Sequence, residues 1–205
     1  MNYTTLANKE TVQKVADALA LRNVEAIVVE NGVAAVAKLK ELIPAGTSVM
    51  NGSSVTLEQI GFVDYLKGDQ HGWNNLHKAI VEEKDPAKQA ALRKQALLSD
   101  YYLGSVHALA ETGEFVIASN TGSQLPHIVF SSANLIFVVS TKKIVPTLSD
   151  AMQRLMEHVV PLEDKHMQEK YGVGTAVNKI VTFNNENPMM GRKVRMILVN
   201  EDFGF

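Results

Sequence analysis

Ala26-Ile27-Val28-Val29, Asn31-Gly32, Ser48-Val49-Met50 and Asn51-Gly52-Ser53-Ser54 are the residues whose reading decides the fold. A short unbroken apolar run such as 26–29 is how a strand covered on both faces reads. Asn31-Gly32 opens a helix in which Ala35, Leu39, Leu42 and Ile43 take helical spacing, and Pro44-Ala45-Gly46 stops it. Ser48–Met50 is a second strand, and the turn 51–54 leads into a helix over Val55–Ile60. Upstream, Val12, Val15, Ala16 and Leu19 mark a lead-in helix within residues 1–23, which Asn23 ends. Helix–strand–helix–strand–helix is the alternation of a parallel α/β sheet.

Working outward, Gly61 to Trp73 reads as short helices and loop, and Asp85-Pro86 starts a helix running through Ala87, Ala91 and Leu98. Val106–Leu109 and Phe115–Ala118 flank Glu111-Thr112-Gly113-Glu114, a hairpin whose antiparallel strands should make the sheet mixed. Leu135–Val139 is another buried strand. Leu148, Met152, Leu155, Met156 and Val159 form one helix face, its methionines read as core, with Thr147 and Asp150 placed as a capping box. Pro161 is expected to separate this helix from a second one through Met167, and Ile180–Phe183 and Val194–Val199 are tail strands. No repeat or long linker divides residues 1–205, so a single α/β domain is expected.

Twenty Lys plus Arg against 22 Asp plus Glu give a net charge of −2, without the basic excess that sequence-independent nucleic-acid binding needs. The 205 residues contain no cysteine, which excludes disulfides, thiolate zinc sites, cysteine nucleophiles and ordinary iron–sulfur ligation within them. No apolar run is long enough for a membrane span, and Met1–Glu10 does not read as a secretion signal, so a cytoplasmic protein is expected.

Ligands of open α/β sheets bind beyond the carboxyl ends of the strands. Gly52-Ser53-Ser54 and Thr121-Gly122-Ser123-Gln124 both have that position and carry glycine and hydroxyls suited to an anion. Each loop alone reads equally well as ordinary structure, with Ser53 or Ser54 capping a helix and Gly122 turning the chain. Neither is a phosphate-loop or dinucleotide fingerprint, and Gly172-Val173-Gly174 follows a helix where a dinucleotide turn needs a strand. Lys142-Lys143, after the strand ending at Val139, either supplies a counter-charge at the same edge or is a solvated surface pair. Among the histidines, His107 and His127 are the candidates for facing a pocket. His71 and His77, six apart, are weak metal ligands, and His158 and His166 read as surface.

Ser99-Asp100-Tyr101-Tyr102-Leu103-Gly104-Ser105-Val106-His107-Ala108 resembles a signature of the LUD-domain family, the lactate-utilisation proteins. So do Ala118-Ser119-Asn120-Thr121-Gly122-Ser123-Gln124-Leu125-Pro126, Lys142-Lys143-Ile144-Val145-Pro146, Pro161-Leu162-Glu163-Asp164, Tyr171-Gly172-Val173-Gly174, Asn178-Lys179 and Phe203-Gly204-Phe205. The resemblance implies a Rossmann-like mixed sheet flanked by helices, like the ribose-phosphate isomerase, glucosamine-phosphate deaminase and CoA-transferase group. It further implies a part in oxidising L-lactate to pyruvate with iron–sulfur partner subunits, this chain being a short form with no cluster of its own. No catalytic set carries over role by role. What carries over is the position of Gly52, Ser53, Ser54, Gly104, Ser105, Thr121, Gly122, Ser123, Gln124, Lys142, Glu163, Asn178 and Lys179.

The expectation is therefore a small anionic ligand at the strand ends, with Lys142 or Lys143 as counter-charge and Glu163 as base. No metal, no other cofactor and no nucleic acid is expected, and a homodimer is expected. The competing readings are a stand-alone isomerase or acyl-transferase of the same fold group, and an accessory subunit without chemistry.

Overall fold

The structure, a computed structural model, describes residues 1–68 and 70–205. Six strands form a parallel sheet: β1 (Val24–Val29), β2 (Ser48–Asn51), β3 (Asn74–Asn75), β4 (Tyr101–Gly104), β7 (Asn134–Ser140) and β10 (Lys193–Val199), in the order β1-β10-β7-β4-β2-β3. Four more strands, β5 (Ala108–Ala110), β6 (Phe115–Ser119), β8 (Ile144–Val145) and β9 (Lys179–Phe183), form a second sheet in the order β8-β5-β6-β9.

Strict alternation along β7 explains why its sequence is apolar throughout. Leu135, Phe137 and Val139 enter the core shared with the second sheet and with α1 (Lys9–Ala20), whereas Ile136 and Val138 enter the opposite core. That opposite core is filled by α2 (Gly32–Leu42), α3 (Val55–Gln59) and α4 (Phe62–Lys67). A third cluster packs Ala108, Val116 and Val145 of the second sheet against Ala151, Leu155 and Val159. The peripheral helices α5 (Leu76–Glu82) and α6 (Pro86–Gln95) complete the middle of the chain, α6 capped by Asp85.

Four expectations change. The hairpin forms, Ala108 facing Val116, but it joins the second sheet and leaves the six-stranded sheet wholly parallel. The strand expected from Val106 starts at Ala108, and Tyr101–Gly104 is an unanticipated strand inside the parallel sheet. Pro161 does not break its helix. Residues Leu155–Val159 form a π turn between α7 (Leu148–Arg154) and α8 (Val160–Tyr171), and this wider turn lets the helical path continue past a residue with no N–H to donate. Met156 is 50 % exposed and so is not core. Within the irregular stretch 61–73, α4 forms as a short helix and Trp73 donates to the Ile43 carbonyl at 3.0 Å; Asp69 lies outside the described residues. Among the described residues no helix is long and apolar enough to cross a membrane.

Candidate functional site

Parallel strands all deliver their carboxyl ends to one edge of the sheet, and three neighbours, β7, β4 and β2, end side by side. Each continues into a polar segment there: Gly52–Ser54 after β2, Ser105–His107 after β4, and Thr141–Lys143 after β7. The segment after β6 and the inner face of α8 close over them around a cavity of about 330 Å³. Its wall includes Ser53, Ser54, Thr56, Ser105, His107, Thr121, Ser123, Gln124, Lys143, Glu163, Gly204 and Phe205.

Lys143 lies in the wall. It is 4 % exposed, and its Nζ donates to Thr56 Oγ1 and Ser105 Oγ at 3.1 Å each and to the Val106 carbonyl at 3.2 Å. Burial first, then the charges of Arg154 and Lys142, push the amine down to about 7. His107 accepts from the Ala118 N–H through Nδ1 at 3.1 Å; burial, with Lys143 and Arg154 adding to it, lowers its pKa to about 3 and keeps the ring neutral. The wall's cation-rich side therefore carries less charge than its residue types suggest.

Arg154 is the least expected member of this region. It is fully buried beneath His107, donates through Nη1 to the His107 carbonyl, and leaves Nε and Nη2 without protein partners. Burial draws its pKa down to about 10.

The two loops expected to converge do so. Tyr102 on β4 stands between them: its hydroxyl donates to Gln124 Oε1 at 3.4 Å, and an ideal Cβ on Gly52 would lie 2.3 Å from that same hydroxyl. Only a residue without a side chain fits there. Gln124 in turn donates to the Ala118 carbonyl at 3.1 Å, while Thr121 Oγ1 donates to Ser123 Oγ at 3.1 Å. Ser54 both lines the cavity and caps α3, accepting from Leu57 N at 3.3 Å.

Of the other expected site residues, Gly104, Ser105 and Glu163 are in the wall. Glu163 faces the cavity from α8, with His166 Nδ1 3.4 Å from its Oε2. Gly122, Asn178 and Lys179 sit behind the wall: Gly122 N donates to Ser119 Oγ, Asn178 donates to Asn120 Oδ1 at 2.7 Å, and Lys179 reaches the Asn120 carbonyl at 3.4 Å. They shape the loop from outside. Lys142 also faces away from the hollow, paired with Asp202 and donating to the Gly204 carbonyl at 2.7 Å. His127 is buried under Tyr102, ring centroids 4.7 Å apart, and does not reach the cavity. His71 accepts from Trp73 N at 2.9 Å, and among the described residues no three His, Asp or Glu side chains gather as a metal-holding group.

The family model of the LUD domain matches residues 12–180, most of the chain and every wall residue before Gly204. The chain belongs to the LUD domain family. Among solved structures, the crystal structure of a DUF162 family protein from Deinococcus radiodurans superposes with a TM-score of 0.57 at 13 % identity, covering 96 % of this chain and 100 % of that one. The likeness is one of fold. A search of curated proteins finds no match.

In this LUD domain His107 lines the cavity, as expected of a histidine facing a pocket, and the residues that sequence reasoning missed are Thr56, Arg154, Gly204 and Phe205. Arg154 had a legible signal. It falls three residues after Ala151 and next to Leu155, on the stripe that α7 buries. Thr56 had none, because a threonine in the first turn of a short helix looks like any other.

Proposed function

We propose that the cavity binds a small organic anion of the hydroxy- or oxo-acid kind, and that the protein takes part in lactate-related metabolism. The observation that carries this reading is a lysine buried in the wall of a hydroxyl-lined hollow with no carboxylate bonded to it. A buried cation without an anion is costly, and an incoming carboxylate removes that cost. Ser53, Thr121 and Ser123 supply hydroxyls at the mouth, and family membership supplies the link to lactate.

Glu163 is the carboxylate among the described wall residues and is the base in this reading. The 205 residues hold no thiolate to ligate a cluster, so electrons from lactate oxidation pass to iron–sulfur partner subunits. The place of Glu163 in the wall also favours a second reading, a stand-alone isomerase or acyl-transferase. Turnover by the isolated chain, without partners, would select that reading.

Thermal unfolding in the presence of L-lactate, pyruvate and the neutral amide of lactate tests the site. At a hundredfold excess over Kd a specific ligand adds about 2.7 kcal/mol. The two acids should raise Tm and the amide should not. Equal effects of all three, or none, contradict the proposal. Recovery of an iron–sulfur protein with the chain from its native host tests the partner.

A further inference from the structure

We infer that the Lys143 amine forms an imine with the carbonyl of a small 2-oxo acid seated in this cavity, an inference that rests on reading the cavity as an organic-anion site. Lys143 is the wall's amine, and it is held by two hydroxyls and a backbone carbonyl, not by an acid. Among the described residues no carboxylate lies within ion-pairing distance of it. Gly204 lies against it, where an ideal Cβ would come 2.8 Å from Nζ, so no side chain covers the amine from that direction.

The charged and titratable groups around it act in one sense. Arg154 from α7 and Lys142 alongside oppose a charge on Lys143, and Asp202 is taken up by Lys142. His107 is kept neutral. On α8, Glu163 pairs with His166. With the amine's pKa near 7, a large share is free base at neutral pH, the nucleophilic form.

The step balances without an oxidant. The Nζ lone pair adds to the carbonyl carbon, replacing the contact with Ser105, and the C=O π electrons move to oxygen. Both amine protons pass to that oxygen, which leaves as water, and a C=N bond remains. Hydroxyls of Ser53, Thr121 and Ser123 receive the acid's carboxylate.

The test uses the full chain, incubated with pyruvate, reduced with sodium borohydride, digested and mapped by mass. Calorimetry follows binding of pyruvate and of L-lactate, which has no carbonyl. A pyruvate-dependent, irreversible mass gain on the Lys143 peptide is expected, absent from Lys143→Met. In the native chain the trapping rate should reach half its maximum near pH 7, a readout that stands even where the variant fails to fold. Binding of both acids with no adduct at Lys143, or with adducts spread over surface lysines, overturns the imine and leaves the anion site intact. Failure of both acids to bind overturns the two together.

Discussion

The Tyr102 hydroxyl lies 3.4 Å from Gln124 Oε1 and occupies the space a side chain on Gly52 would need, so one buried phenol sets the distance between the turn after β2 and the turn after β6. The rim of the cavity is built on that spacing. Both turns are remote in sequence, and the parallel sheet brings them to one edge.

Gly52→Ala tests the spacing. The added methyl meets the buried Tyr102 oxygen, and overpacking of this kind costs about 1–3 kcal/mol. Tyr102→Phe removes the oxygen and leaves ring carbon at 3.5 Å, ordinary contact, and Gln124 Oε1 at 3.0 Å, the end of a flexible side chain that its lost bond to Tyr102 frees to shift. The double variant should therefore regain most of the stability lost by Gly52→Ala, measured by urea unfolding; additive losses contradict the relationship.

Acid stability follows from the histidines. Burial holds His127 at about 4 and His107 at about 3, against 6.5 for a free ring, so the unfolded chain binds protons that the native one does not. Stability therefore falls as pH drops below 6.5, continuing to about 4 for His127, with a slope approaching ~1.4 kcal/mol per pH unit for each full proton. His127→Gln, which keeps a polar group near Ser99 and Ser132, should flatten the slope of Tm against pH in that range.

The secondary-structure alternation and the two rim loops were legible in the chain because each depends on local composition. Tyr101–Gly104 was not. Two tyrosines, a leucine and a glycine form no apolar run, and the strand exists because β2 and β7 flank it. The choice between Lys142 and Lys143 was equally hidden. They sit in a single 3₁₀ turn, where successive side chains point about a third of a turn apart, so neighbours face different surroundings. Pro161 misled because the π turn ahead of it is a backbone adjustment with no residue signature.

Lys142 straps the tail over the cavity. Lys142→Met removes its pairing with Asp202 and its bond to the Gly204 carbonyl. Faster amide exchange over residues 202–205 and weaker binding of L-lactate are expected, with the cores little affected. Asp202→Asn should do less, because Asp202 is 63 % exposed and exposed charges contribute little.

Arg154→Met removes a buried positive charge that opposes protonation of Lys143. The amine should then titrate at higher pH, and the pH at which lactate binding weakens should rise with it. An unchanged midpoint would assign the low pKa of Lys143 to burial and Lys142 without Arg154.

The most direct test is calorimetric titration with L-lactate just above neutral pH, repeated in buffers of different ionisation enthalpy. Lys143, titrating near 7 when the cavity is empty, should gain charge beside the bound carboxylate, so binding should take up protons and weaken as pH rises further. Lactate that binds with no proton uptake and no pH dependence, or does not bind at all, contradicts the account.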